Sequence, residues 1–233
     1  MGSMTLLGAG RPPVAAGGSV MTYRIGGIHQ FAGGAENWAM TLTGVSANDW
    51  LILHCVNNGL GVAFNLGGSG TPTVTQISAI GDGDGAFSHY LCAIQLSASD
   101  ISNGNLFVNA NATLNFVVRW EIYTITGASA VTMKDGGLII SGTGDPDLTF
   151  PGFAPSGSTK GVGASMVDRA SGGTGTTLTP PTGWTMRSNP TTTADNYFHF
   201  YTAERATGYT NASVAFGTFD TADLQSGYIW EAT

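Results

Sequence analysis

The chain has 233 residues and a formal net charge of −7, and only 10% of its residues are charged, against a typical share of about 25%. It holds 8 Lys and Arg in all and no basic run, which argues against binding to nucleic acid or to an anionic membrane surface, because both need clustered cations. Its 42% hydrophobic share is enough for a core, but no apolar run reaches the roughly 20 residues of a membrane span.

The first 20 residues are predicted to form a flexible arm. Gly, Ala and Pro dominate residues 5–20, which offer little to bury, and the opening Met-Gly-Ser-Met resembles a tag remnant. No basic segment precedes an apolar stretch, as a secretory signal requires, so export by that route is not expected. Residues 21–233 are predicted to form a single β domain.

Short strand-like segments follow one another in the first half of the chain. MTYRI (21–25) and WAMTLTGV (38–45) alternate between apolar and polar residues, and LILHCV (51–56) is a compact apolar run. SHYLCAIQL (88–96) and LNFVVRWEIYTIT (114–126) are further strand candidates. Turn-forming residues separate them, and no window shows a helical apolar period over three turns. Only SASDISNG, between two of these strands, could form a short helical turn.

The second half continues in the same way. KGVGASMVDRA (160–170), YFHFYTAERA (197–206) and the closing LQSGYIWEAT (224–233) are predicted strands, and TLTPPTGWTMRS (177–188) contains a turn before Trp184. Short strands between turn-forming residues are typical of a sandwich or a barrel. The sequence therefore predicts an all-β fold.

The two halves also repeat each other. Trp120-Glu121 and Trp230-Glu231 lie 110 positions apart in similar strands. Several other elements recur in the same order at nearly the same spacing, which indicates an internal duplication. The alternative is a chance recurrence in an aromatic-rich β protein.

The duplication predicts an architecture. The equivalent halves are about 38–126 and 150–233, and 114–124 and 223–233 are expected to be equivalent strands. Four strands in each half cannot bury both faces alone, whereas two such sheets packed face to face can. We therefore predict a jelly-roll-like β-sandwich of eight to ten strands with two quasi-repeated halves.

Cys55 and Cys92 each lie inside an apolar strand-like run. The expected state is two buried thiols that pack as small hydrophobic groups, although strands that are neighbours would also permit a disulfide. No Cys-x-x-Cys occurs, so no structural zinc or redox motif is predicted.

Motifs for catalysis are not found in the sequence. It has no Gly-x-Ser-x-Gly, no recognisable Ser-His-Asp order and no His-Glu-x-x-His, so no enzyme activity is predicted. The histidines are expected to be ordinary hydrogen-bonded residues rather than zinc ligands; they are His29, His54, His89 and His199.

Two kinds of ligand site are considered. Asp82 and Asp84 alternate with glycine at 81–85, which would place oxygen ligands for calcium on one side of a turn; the alternative is that they only form the turn. Aromatic rings near turns or strand starts would suit a glycan, although core packing is their alternative fate. These aromatic candidates are Tyr90, Trp184, Tyr197 and Tyr209.

The order of these signals resembles a recurrent module of tailed-phage virion proteins. It shows an early strand after a turn ending in Asp (GVSANDWLILHCV) and a central strand before a Gly turn (WEIYTITGAS). A strand of small residues and a Pro-Pro-x-Gly-Trp turn follow (KGVGASMVDRASGGTGTTLTPPTGWTM), and the resemblance covers roughly 38–233. Such modules are found in head-fibre, tail-fibre and spike components of phages and of phage-derived gene transfer agents.

The resemblance implies a function and partners. It implies a non-catalytic β-sandwich on the virion surface, synthesised in the host cytoplasm, attached to other virion proteins through the arm and touching host polysaccharide. A homo-oligomer would also suit this role. The alternatives are a free-standing lectin or carbohydrate-binding module, and a glycan-degrading enzyme.

Overall fold

The computed structural model describes an almost entirely β structure, which confirms the predicted fold class. In the described residues one short helix occurs, α1 (Ala98–Asn103). It starts at a capping box, in which Ser97 and Asp100 each accept a hydrogen bond from the other's backbone N–H. The arm at 1–20 lies outside the described ranges, which are 21–31, 34–40, 44–57, 64–67, 75–81, 88–103, 106–112, 116–139, 147–169, 178–188, 199–218 and 224–233.

The first half forms two antiparallel sheets. Its strands are β1 (Met21–Phe31), β2 (Gly34–Met40), β3 (Trp50–Asn57), β4 (Phe64–Gly67), β5 (Thr75–Gly81), β6 (Ser88–Gln95), β7 (Leu106–Ala112) and β8 (Phe116–Ile125). The large sheet has the order β1-β8-β3-β6-β5, and the small sheet has the order β2-β7-β4. β4 of the small sheet contacts β6 of the large one.

The second half forms a matching pair of sheets. Its strands are β9 (Val131–Ile139), β10 (Asp147–Phe150), β11 (Gly161–Arg169), β12 (Thr185–Ser188), β13 (His199–Arg205), β14 (Val214–Thr218) and β15 (Leu224–Ala232). The large sheet has the order β9-β15-β11-β13-β12, and β10 pairs with β14 in a small sheet. Read from β1 and from β9, the two large sheets follow the same path through the chain, so the two halves share one topology. Both β1 and β9 lie outside the predicted halves of 38–126 and 150–233.

The two large sheets pack face to face in the middle of the molecule. One core cluster joins residues of both sheets, including Ile52, Leu91, Tyr123, Tyr228 and Trp230. A second cluster lies on the other face of the second large sheet, against β10 and β14; its members include Val162, Met166, Tyr201, Phe150 and Phe216.

The predicted number of strands is too low, and the physical reason lies in the central strands. Leu51 and Leu53 point to one face of β3 and Ile52 to the other, and all three are fully buried. A strand buried on both faces needs a layer on each side. Each half therefore carries a small sheet of its own, giving fifteen strands in the described ranges instead of eight to ten. The finer jelly-roll assignment stays a prediction.

Two β-bulges fix the register of the repeat. In β1 the bulge is at Arg24, beside the pair Tyr23–Tyr123, and in β9 it is at Lys134, beside the pair Met133–Trp230. β5 and β12 are bulged at matching places as well, at Ile77 and Arg187. Bulges are specific features of a strand pair, so their recurrence aligns the halves residue by residue.

This alignment corrects the residue match that the sequence suggested. Tyr123 is equivalent to Trp230, 107 positions later, so the Trp-Glu pairs at a spacing of 110 are three residues out of register. An odd shift in a strand places equivalent side chains on opposite faces of the sheet. The predicted equivalence of the two strands, β8 and β15, is correct. The two Trp-Glu pairs, however, do not occupy equivalent positions, so their recurrence is a chance match of sequence.

An approximate two-fold axis relates the halves. His89 and Phe200 occupy equivalent positions on β6 and β13, and their rings contact each other at 6.3 Å. β5 contacts β9, and the equivalent pair, β12 and β1, meets where Arg187 lies 5.4 Å from the Tyr23 ring. Equivalent elements that make reciprocal contacts are the mark of a two-fold arrangement.

Cys55 and Cys92 lie on the neighbouring strands β3 and β6, and both thiols are free and fully buried. Burial, followed by a hydrogen bond to Cys92, raises the pKa of Cys55 well above its ordinary value, which lowers its thiolate fraction and reactivity. We expect a thiol reagent to label neither residue in the native protein and both after denaturation without reductant. Rapid native labelling would contradict the burial, and failure to label in denaturant would indicate a disulfide.

Candidate functional site

The structure brings two of the predicted ligand residues together and separates a third from them. Trp184 and Tyr209 are in contact, with ring centroids 6.1 Å apart. Tyr90 lies in the first half and is buried on β6. The remaining predicted residues, Asp82, Asp84 and Tyr197, lie outside the described residues.

Trp184 is positioned by the turn that the sequence indicated. The Trp184 N–H donates to the carbonyl of Pro181 at 3.0 Å, and Gly183 has a φ of +86°. A positive φ at the third residue defines a type II turn and favours glycine. The turn directs the Trp184 ring inward, where it meets Phe216 edge to face at 5.3 Å.

We call Phe153, Trp184 and Tyr209 the aromatic cluster. The Phe153 and Tyr209 rings stack at 4.5 Å, and both are partly exposed, whereas Trp184 is 6% exposed. Trp184 therefore supports the cluster from below, and the stacked pair forms its surface. Burial raises the pKa of Tyr209, so its hydroxyl stays protonated.

Arg205 ties two of the surrounding loops together. Its guanidinium donates to the carbonyl of Thr182 at 3.1 Å, and to those of Thr207 at 3.2 Å and Gly208 at 2.5 Å. These carbonyls belong to the loop before Trp184 and to the loop before Tyr209. One side chain thus fixes both rings relative to each other.

Glu231 holds the third loop, which carries Phe153. Its carboxylate accepts hydrogen bonds from the Ser156 N–H at 2.7 Å and from the Thr159 hydroxyl, and it pairs with Lys134 at 2.7 Å. Burial opposes the charge, but these donors together hold the pKa of Glu231 below its ordinary value. Lys134 also lies 5.5 Å from the centre of the Phe153 ring, a cation–π contact.

Sequence reasoning missed a layer of polar side chains buried between the large sheets. His54 accepts a hydrogen bond from the Trp230 indole N–H at 2.7 Å. His89 lies between the hydroxyls of Ser165 and Ser226, at 2.7 Å from each. Burial lowers the pKa of His54 to about 3 and that of His89 well below its ordinary value. Both rings are therefore neutral at physiological pH.

A second group of polar residues lies between the sheets near the edge strands β1 and β12. Thr202 donates to the carboxylate of Glu121, and the Tyr123 hydroxyl lies within hydrogen-bonding distance of both side chains. Nε and Nη2 of Arg187 both donate to Oε1 of Glu204. Tyr23 lies beside them. Its pKa is raised to about 12, by burial first and then by the charge of Glu121, while Arg187 opposes the shift.

A pocket of about 240 Å³ opens beside this group. Gly26 and Gly27 of β1 form one wall, opposite Glu121 and Trp120 in the strand register. Glu121 is 4% exposed, whereas Gly27 is exposed. The lining residues are Tyr23, Gly26, Gly27, Arg119, Trp120, Glu121 and Phe200.

The sequence carried only a faint signal for this pocket. Arg119 and Glu121 are charged residues inside a largely apolar strand of a chain that is only 10% charged, and such residues are rarely buried unless they are paired. Their partners on β1 and β13 are far away in sequence, so only the packed sheets bring them together.

Among the described residues, no three His, Cys, Asp or Glu side chains converge as a metal site. No helix in these ranges is long and apolar enough to cross a membrane.

Comparisons with protein-family models, with curated proteins and with solved structures gave no significant match.

Proposed function

We propose that this chain is a non-catalytic virion structural protein of a tailed phage or a gene transfer agent. It forms part of a fibre, spike or head decoration and contacts host-surface polysaccharide. Three features support the proposal: the resemblance of the strand and turn order, the low content of charged residues, and the all-β fold built from two stacked halves.

The aromatic cluster is the observation that carries the glycan part of the proposal. Flat rings that are partly exposed offer an apolar surface to the apolar face of a sugar, and polar groups at their edge bind its hydroxyls. The Phe153–Tyr209 stack supplies the rings, and the Lys134 ammonium lies over the Phe153 ring, 5.5 Å from its centre. Because Arg205 and Glu231 fix the supporting loops, the surface is preorganised, which reduces the entropy cost of binding.

A shallow surface of two rings binds weakly by itself. Several copies on one particle raise the effective concentration, so the avidity exceeds the single-site affinity by about 10² or more. Display on a virion supplies such copies. The proposal therefore requires weak binding by the soluble protein and strong binding by a multimer.

Replacement of Tyr209 by Ala is expected to weaken binding of a multimerised protein to encapsulated host cells by tenfold or more. One lost ring contact is worth about 0.5–1.5 kcal/mol, and the loss at each site is multiplied across the sites in use. Flow cytometry on cells with and without capsular polysaccharide measures the effect. The control is Trp50→Phe, which changes a partly exposed aromatic residue of the first half.

Three outcomes would count against the proposal. If the multimer does not distinguish the two cell types, the glycan part is wrong, and if Tyr209→Ala and Trp50→Phe bind alike, the aromatic cluster is not the contact. If the purified protein shortens the polysaccharide, the non-catalytic part is wrong. In that case the buried carboxylates of Glu121 and Glu204 would be the first to replace, because hydrolysis of glycosides uses paired carboxylates.

A further inference from the structure

The two-fold arrangement of the halves places a second, equivalent position opposite the pocket. Gly26 faces Glu121 across the β1–β8 pair, and Gly136 faces Tyr228 across the equivalent β9–β15 pair. Likewise Phe200 on β13 is equivalent to His89 on β6. The pocket can therefore be compared with its own counterpart in the same molecule.

In the counterpart, side chains fill the space. The Tyr228 ring packs on the His89 ring at 4.5 Å, and the Tyr228 hydroxyl donates to the carbonyl of Tyr90 at 2.6 Å. Hydroxyls of Ser165 and Ser226 hold His89 in place at 2.7 Å each. A fully buried Tyr, with its hydroxyl and its neighbour hydrogen-bonded, is a packed and satisfied core.

In the pocket itself, the shorter Glu121 stands where the counterpart has Tyr228. Its carboxylate accepts a hydrogen bond from Thr202 on the opposite large sheet and lies 3.3 Å from the Tyr123 hydroxyl on its own strand. Phe200 replaces His89, and Arg119 replaces Ser226. Glu121, Arg119 and Phe200, the equivalents of Tyr228, Ser226 and His89, line a pocket of about 240 Å³.

We propose that this pocket is a second binding site, which takes a single hydroxyl-rich ring such as one unit of a glycan. It extends the glycan contact proposed above, on which the choice of ligand rests, from a shallow surface to a pocket. At the pocket the two halves differ in charge: neutral, hydrogen-bonded residues in one half correspond to a carboxylate, a guanidinium and a phenol in the other.

The size and the polar groups of the pocket fit this ligand. Its volume lies just below the roughly 300–1,000 Å³ of pockets for drug-sized ligands, and it equals about eight waters at about 30 Å³ each, so it suits one sugar ring. The Glu121 carboxylate accepts hydrogen bonds from hydroxyls, and the Arg119 guanidinium donates them. Tyr23 stays protonated and adds a donor, and the Phe200 ring adds an apolar wall.

The test measures binding of free monosaccharides to the soluble protein. A panel of neutral hexoses, N-acetylhexosamines and uronic acids is titrated in a calorimeter and by NMR, and free amino acids serve as a comparison class that carboxylate and guanidinium could also bind. At least one sugar is expected to bind, and Glu121→Gln should weaken it roughly tenfold to hundredfold, because a hydrogen bond to a charged group is lost. Asp135→Asn, at a partly exposed carboxylate of β9, should have no effect.

A second variant is designed to fill the pocket with the residues that fill its counterpart in the other half. Glu121→Tyr together with Phe200→His copies the residues of the filled counterpart, and it should abolish monosaccharide binding while circular dichroism and thermal unfolding show a folded protein. If this double variant does not fold, Phe200→Trp, which enlarges one wall, takes its place with the same expected loss.

The failure of this proposal and that of the proposed function give different results. The pocket proposal is overturned if no sugar in the panel binds, if only amino acids bind, or if the pocket-closing variants bind sugar as well as the wild type does. Those results leave capsule-dependent binding of the multimer, and its loss in Tyr209→Ala, untouched. Conversely, sugar binding that depends on Glu121 in a protein that ignores the capsule would support the pocket and overturn the cell-surface role.

Discussion

Lowering the pH from 7.5 to 5.0 is expected to reduce the free energy of unfolding by about 4 kcal/mol. His54 and His89 are fully buried and neutral, and burial lowers the pKa of His54 to about 3 and that of His89 well below its ordinary value. In the unfolded chain both histidines take up protons below about pH 6.5, their ordinary pKa. Each pH unit below that value, down to the folded pKa, lowers the free energy of unfolding by about 1.4 kcal/mol per histidine. The stabilisation is therefore complete above pH 6.5 and is lost as the pH falls toward the folded pKa.

Urea unfolding at several pH values checks this expectation. Each of His54→Gln and His89→Gln keeps an uncharged hydrogen-bonding group in place, so each should remove about half of the slope of stability against pH between 5 and 6, even if the baseline stability falls. Glu231 does not interfere, because its pKa is lowered and its contribution is lost only at more acidic pH. A slope that survives in the double variant would show that other groups carry the acid sensitivity.

Replacement of Gly163 by Ala is expected to destabilise the protein by about 3 kcal/mol or more. Gly163 is the register partner of Trp230 on the neighbouring strand, and both are buried between the large sheets. An added Cβ would overlap the Trp230 ring and lie 2.8 Å from its Nε1, which donates to His54. Overpacking of a filled core costs about 1–3 kcal/mol, and more when a hydrogen-bonded ring must move.

Gly157→Ala is the matched control for this substitution. Gly157 is exposed, and a Cβ there would meet nothing within 4 Å. The replacement should be neutral or stabilise by up to about 1 kcal/mol, because it lowers the entropy of the unfolded chain. A smaller ring should relieve the overlap, so Trp230→Phe is expected to cost less in the Gly163→Ala background than in the wild type. Equal effects of the two glycine replacements would refute the close packing of the sheets.

The expected loss of stability at low pH and the pocket both depend on the polar side chains buried between the large sheets. Two stacked halves that meet through hydrogen-bonded His, Ser, Thr and Tyr side chains are held in one relative position, because each donor has a partner on the opposite sheet. The same layer carries the charges of Glu121 and Glu204 near the edge strands. The centre of this interface therefore holds the two sheets in one position, and its edge carries the charged groups that line or adjoin the pocket.

The sequence by itself determined the local structure and the order of the elements. Alternating and apolar runs identified most of the long strands, the Pro-Pro-Thr-Gly-Trp segment identified the turn before Trp184, and SASDISNG identified the place of the one described helix. These features depend on near neighbours, so their physics is contained in a few consecutive residues. The duplication was also visible, because equivalent strands keep their order in the chain.

Only the tertiary structure decided the register of the repeat, the number of layers and the contents of the interface. The bulges at Arg24 and Lys134 identify Tyr123 and Trp230 as equivalent residues, three positions away from the match that the sequence suggested. A bulge is defined by the partner strand rather than by its own sequence. Whether Glu121 or Tyr228 leaves a pocket or fills it depends on side chains of the opposite sheet, about 80 to 140 positions away along the chain. Burial and contact are properties of the packed sheets, and no window of neighbouring residues contains them.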